Sequence, residues 1–138
     1  MTHVKTLVGL VSTGALMLSL TAVSSAVTVT LRPDPAAPLM TAVSNQAQTC
    51  AAPAKSAAID AAFWEEPTIA AEEGASGTSV VAVSLRANGS LANAHLDSSS
   101  GNQFLDAAAM RTAHLSTYSP EIMNCAAVGG SYLVEVAF

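Results

Sequence analysis

The second half of this sequence predicts an α+β fold, in the order strand, strand, helix, strand, and three observations carry that prediction. Asn88-Gly89 stands between two runs with alternating apolar residues, the strongest short-range signal for a β-hairpin. Ser100 is followed three positions later by Gln103, which has capping-box form at the head of a helical stripe. Gly129-Gly130 then introduces a closing run in which Tyr132, Val134, Val136 and Phe138 alternate with Leu133, Glu135 and Ala137. Residues 76–138 are therefore the organising segment of a chain of 138 residues, the size of one domain.

Taken in order, the chain opens with a short basic lead, Met1-Thr2-His3-Val4-Lys5, and an apolar run over residues 6–23. That run ends in Ser24-Ser25-Ala26, with small residues where a signal peptidase requires them. Residues 1–26 are expected to be a secretory signal peptide, against the rival of a retained membrane anchor. Residues 27–49 read as a short linker, because Arg32-Pro33-Asp34-Pro35-Ala36-Ala37-Pro38 is too rich in proline for a helix. Residues 50–66 form an alanine-rich arm, open to two readings: a helix begun at Pro53, or an extended arm tethered through Cys50. Phe63 and Trp64 are expected to anchor it, as large aromatics bury the most area beside an alanine tract. Pro67 opens a short helix over residues 68–73, which Gly74 ends.

In the run over residues 78–86, Val81, Val83 and Leu85 share one face, and period two makes this a half-buried strand. Leu91, Ala94 and Leu96 are the apolar set of the next run, and their change of phase predicts a bulge or a late strand start. The helix, expected over residues 101–115, presents Leu105, Ala108, Ala109, Thr112 and Leu115 on one stripe. Ser116-Thr117-Tyr118-Ser119-Pro120 stops it.

Beyond residue 26 the chain keeps Arg32, Lys55, Arg86 and Arg111 against ten acidic side chains, a net charge of −6. Such a surface does not attract nucleic acid or anionic lipid. Cys50 and Cys125 are the only cysteines, and in an exported chain one disulfide between them is the natural reading. No Cys-x-x-Cys and no His/Cys cluster at ligand spacing occurs, so no metal or cofactor is expected. Ser98, Ser99 and Ser100 with His95 or His114 lack the Gly-x-Ser-x-Gly of a nucleophile elbow and read as turn and N-cap residues. Asp106 reads as a first-turn acid facing the helix dipole. Asn88-Gly89-Ser90 matches a glycosylation sequon, but the turn already accounts for it. No catalytic residues are assigned, and the chain is not expected to be an enzyme.

Several of these motifs, in this order and spacing, resemble the C-terminal domain of TonB-type energy transducers. They are Ser76-Gly77 before an alternating strand, Asn88-Gly89, Ser99-Ser100-Gly101, Leu105-Asp106-Ala107-Ala108-Ala109 with Ala113, and Tyr118-Ser119-Pro120. The closing run from Gly130 to Phe138 and the Pro67 to Gly77 lead complete the likeness, which covers residues 67–138 of a short exported form with a cysteine pair. The resemblance implies two helices packed on a three-stranded sheet in the order 2-1-3. It also implies a function: pairing an extended segment of an outer-membrane transporter, as an added strand, against the last strand. On that reading Leu133, Val134 and Glu135 line an open, partner-binding edge, with only Glu135 to blunt it. Two other occupants of that edge are the arm over residues 46–64 and a second copy of the domain, which would make a homodimer. The alternative function is a secreted structural or envelope-interaction domain that uses the fold without energy transduction. In either case the protein is expected to be periplasmic or secreted.

Overall fold

A computed structural model describes residues 27–37, 54–62, 64, 65 and 67–138. The expected signal peptide at residues 1–26, most of the linker, Cys50 and Phe63 lie outside the described residues. Among the described residues, eight strands and two helices follow one another: β1 (Thr28–Pro33), β2 (Ala58–Ala61), α1 (Thr68–Glu72), β3 (Thr78–Leu85), β4 (Leu91–Ser98), α2 (Gln103–Leu115), β5 (Thr117–Ser119), β6 (Glu121–Met123), β7 (Ala126–Val128) and β8 (Gly130–Ala137).

The α+β class holds, but the sheet has four strands, not three, in the order β1-β8-β3-β4, with every pairing antiparallel. The implied 2-1-3 order is present within it as β4-β3-β8. The fourth strand comes from the segment read as linker. Thr28-Val29-Thr30-Leu31 is a β-branched, alternating run, and Pro33 at its end tolerates a strand edge, so the prolines mark where β1 stops.

The hairpin from β3 to β4 turns at Asn88-Gly89 as expected, with Gly89 N–H donating to Arg86 O at 2.9 Å and Asn88 Oδ1 accepting from Ser90 N–H. Gly89 has φ +81, and a Cβ there would stand 2.6 Å from the carbonyl oxygen of Tyr118, so the turn packs onto β5 through a bare backbone. The predicted change of phase in β4 is a bulge: Ser84 faces Asn93 while Leu85 faces Leu91. A second irregularity lies between Val80 and Val81.

One face of the sheet carries Val81, Val83 and Leu85 of β3 and Tyr132, Val134 and Val136 of β8, packed with Ala109 and Ala113 of α2 and with Tyr118. Val29 and Leu31 of β1 pack against this core from the sheet's edge. The small residues of α2 let the helix lie close, and Leu105, Ala108, Ala109, Thr112 and Ala113 are its buried stripe. Leu115 was expected on that stripe but is 57% exposed, because the last helical turn directs Ala113 inward. There Tyr118 closes over the helix end and donates its hydroxyl to Ala113 O at 2.6 Å.

The arm takes the extended reading. Lys55 and Ile122 exchange both backbone hydrogen bonds, and β2 pairs antiparallel with β5. Ala57 and Ile59 supply the arm's contact with the core, while Trp64, beyond the end of β2, is 53% exposed. Between β6 and β7 the turn is made by Asn124 and Cys125, at φ +50 and +62. That is the pattern of a tight hairpin turn that usually selects glycine. Among the described residues no helix is long and apolar enough to cross a membrane.

Candidate functional site

The edge named from the sequence is β8, and three questions define it: where its backbone groups point, what covers them, and what flanks them. The ladder phase answers the first. Asp34 N–H donates to Ser131 O across the β1 side, and Phe138 exchanges hydrogen bonds with Gly77 across the β3 side. With one register and no shift on either side, antiparallel alternation directs the N–H and C=O of Leu133 and Glu135 to β1. The same alternation directs those of Tyr132, Val134 and Val136 to β3.

The second answer corrects the expectation of an open edge. β1 runs along β8 from Thr28 opposite Ala137 to Pro33 opposite Tyr132. The arm goes to β5, and the edge is taken by the chain's own segment β1. The physical reason is that an unblunted edge of this length beside an apolar core is filled by the nearest β-patterned segment.

Of the three residues named for this edge, Val134 is fully buried in the core, between Leu31 and Val81. Leu133, 6% exposed, lies on the opposite face between Arg32 and Ala82. Glu135 is half-buried beside Thr30, and Arg32 Nε lies 3.4 Å from its carboxylate. Both partners of that ion pair are well exposed, so it orients β1 more than it stabilises it.

At the Pro33 end of the strand pair a small cavity of about 120 Å³ is lined by Leu31, Arg32, Pro33, Ala57, Glu121 and Tyr132, with Ser56 at its side. Tyr132 donates its hydroxyl to Glu121 Oε2 at 3.2 Å, and burial with the nearby Glu121 carboxylate pushes the phenol up to about 12. Sequence reasoning missed Glu121 and Tyr132 as a pair, because only the fold brings β6 under the end of β8.

The second polar cluster lies at the head of α2. Asn102, not Ser100, is the N-cap: its Oδ1 accepts from Phe104 N–H at 2.8 Å and Leu105 N–H at 3.4 Å. Ser100 is occupied elsewhere, because Asp106 draws it in. The Asp106 carboxylate accepts from Ser79 Oγ at 2.8 Å, Ser100 N–H at 2.8 Å, Ser100 Oγ at 2.9 Å and Ser99 Oγ. Burial works to raise its pKa, but these donors together outweigh burial and hold the carboxyl at about 2. The serines therefore serve a carboxylate that ties β3 to α2. Among the described residues no group of three His, Cys, Asp or Glu side chains is placed to hold a metal.

Comparison with known proteins returns one family. Residues 67–138, just over half of the chain, match the family of the Gram-negative bacterial TonB protein C-terminal. No curated protein and no solved structure matches.

Proposed function

Because the chain belongs to the Gram-negative bacterial TonB protein C-terminal family, we propose that it is an exported, non-catalytic protein-binding module of the cell envelope. Its partner on this reading is an extended segment of an outer-membrane transporter, held as an added strand against β8. The observation that carries the proposal is the family match over residues 67–138. The geometry supports it: Leu133 and Glu135 aim their backbone groups out of the β3–β8 pair, which is what strand addition uses. Val134 is then the apolar floor under the added strand, and Glu135 the charge beside it.

A second reading, an envelope-interaction domain without energy transduction, is favoured by one observation: β8 is already paired on both sides. A photo-crosslinking side chain in place of Glu135, in the full chain mixed with envelope extract from a Gram-negative cell, separates the two. Crosslinks to a transporter's extended segment are expected. Crosslinks to other envelope proteins alone would support the second reading, and crosslinks only from a probe at Asp97 of β4 would move the site to the opposite edge.

A further inference from the structure

β1 differs from the two central strands of its sheet in how it is held. None of its six residues is buried, whereas five of the eight residues of β3 and four of the eight of β8 are. Its sheet hydrogen bonds go to β8 alone, and its side-chain anchors are Val29 and Leu31 at the rim of the core plus one exposed ion pair. Its far edge is blunted, because Pro33 offers no N–H on the side facing away from β8. About twenty residues of sequence separate it from the next described strand interaction at Lys55.

We propose that β1 is a displaceable resident of the β8 site, an internal strand that keeps the site closed and displays the pattern of the segment that replaces it. This rests on the reading of β8 as the docking edge, and it adds the partner's chemistry and a gate. An incoming segment makes the same ladder bonds that β1 surrenders, so the exchange turns on side chains and on the tether. The side chains are those β1 displays: aliphatic residues opposite Val136 and Val134, and a cation opposite Leu133 that reaches Glu135, on a segment antiparallel to β8. Because β1 belongs to the same chain, it competes with any outside segment intramolecularly. The observed affinity of an outside segment is reduced by the fraction of molecules in which β1 is out.

Hydrogen exchange on the full, unaltered chain reads the gate directly. If β1 leaves on its own, the amides of Leu133 and Glu135 exchange at least about tenfold faster than those of Val134 and Val136, which are bonded to β3. Equal protection of the two sets would overturn the proposal. The second arm uses a synthetic peptide of residues 27–34 as the probe, with the parent, Thr30→Pro and Leu31→Asp chains. Thr30→Pro removes a β1 bond to Glu135, and Leu31→Asp removes a core anchor; neither changes a residue of β8. Retained protection at Val134 and Val136 establishes that a variant is folded. Peptide binding at least about tenfold tighter to either folded variant than to the parent is expected. Binding no tighter to a folded variant would overturn the gate, as would a parent that dimerises with rising protection at Leu133 and Glu135, since β1 of a second copy would then be the occupant. Transporter crosslinks of equal strength in parent and Thr30→Pro would remove the gate and leave the docking reading standing. Peptide exchange without any transporter crosslink would do the reverse.

Discussion

Asp106 shows how far one side chain can depart from its local role. A first-turn acid needs nothing beyond the helix dipole, yet this one gathers donors from Ser79, Ser99 and Ser100 and so joins β3 to the start of α2. With its pKa held at about 2 against an ordinary 3.8, the folded state favours the charged form. The contribution is therefore complete above pH 4 and is lost as pH falls towards 2. Asp106→Asn is expected to lower stability at pH 7 by about 2 kcal/mol, the range for hydrogen bonds to a charged group. Urea unfolding at pH 7 and pH 2 checks this: the gap between parent and variant should close at the lower pH, and an undiminished gap would mean that the charge is not what matters.

At the scale of the element, β8 is a strand with two unlike sides. Leu133 and Glu135 bond to a rim strand, whereas Val134 bonds to β3 in the middle of the sheet. A proline at Glu135 therefore removes one bond to β1, at a cost of about 1 kcal/mol, and leaves the β3 ladder whole. Val134→Pro breaks the central ladder and should cost about 3 kcal/mol or more. Thermal unfolding of the two variants should rank them in that order, and equal losses would show that β1 is as integral as β3. An open edge would have made the Glu135 substitution free of internal cost; the presence of β1 is why it is not.

At the scale of the molecule, the β2–β5 pair reaches the core of the main sheet through Ile59 and Tyr118, and the hairpin from β6 to β7 is joined to β8 by the hydrogen bond from Tyr132 to Glu121. Cys125 sits where a tight turn prefers glycine, at φ +62, a conformation that costs an ordinary side chain roughly 1–2 kcal/mol. A side chain kept at such a position has a reason beyond the turn. A disulfide to Cys50, proposed from the sequence, supplies one and would close a loop of about 75 residues, for roughly 4 kcal/mol. The purified chain should show no thiol open to alkylation until it is reduced, and reduction should lower its melting temperature. Quantitative alkylation of the unreduced protein would remove the staple from the account.

The sequence by itself determined what local chemistry controls. Asn88-Gly89 made a hairpin wherever the strands beside it lay, the phase change after Leu91 required a bulge, and the alternation of Tyr132, Val134 and Val136 chose the buried face of β8. Motif order likewise reached the family. Near misses arose where two local choices were close in energy: Asn102 and Ser100 both cap helices well, and only the pull of Asp106 on Ser100 decided between them. What tertiary structure alone decided were the partnerships between distant segments. A proline-bounded run of six residues looks like linker because period two over so short a span carries little signal. It became a strand because β8 exposed a row of backbone groups beside an apolar rim, and packing Val29 and Leu31, partly buried, against that rim satisfied both needs. Trp64 stayed outside because β2 had ended before it.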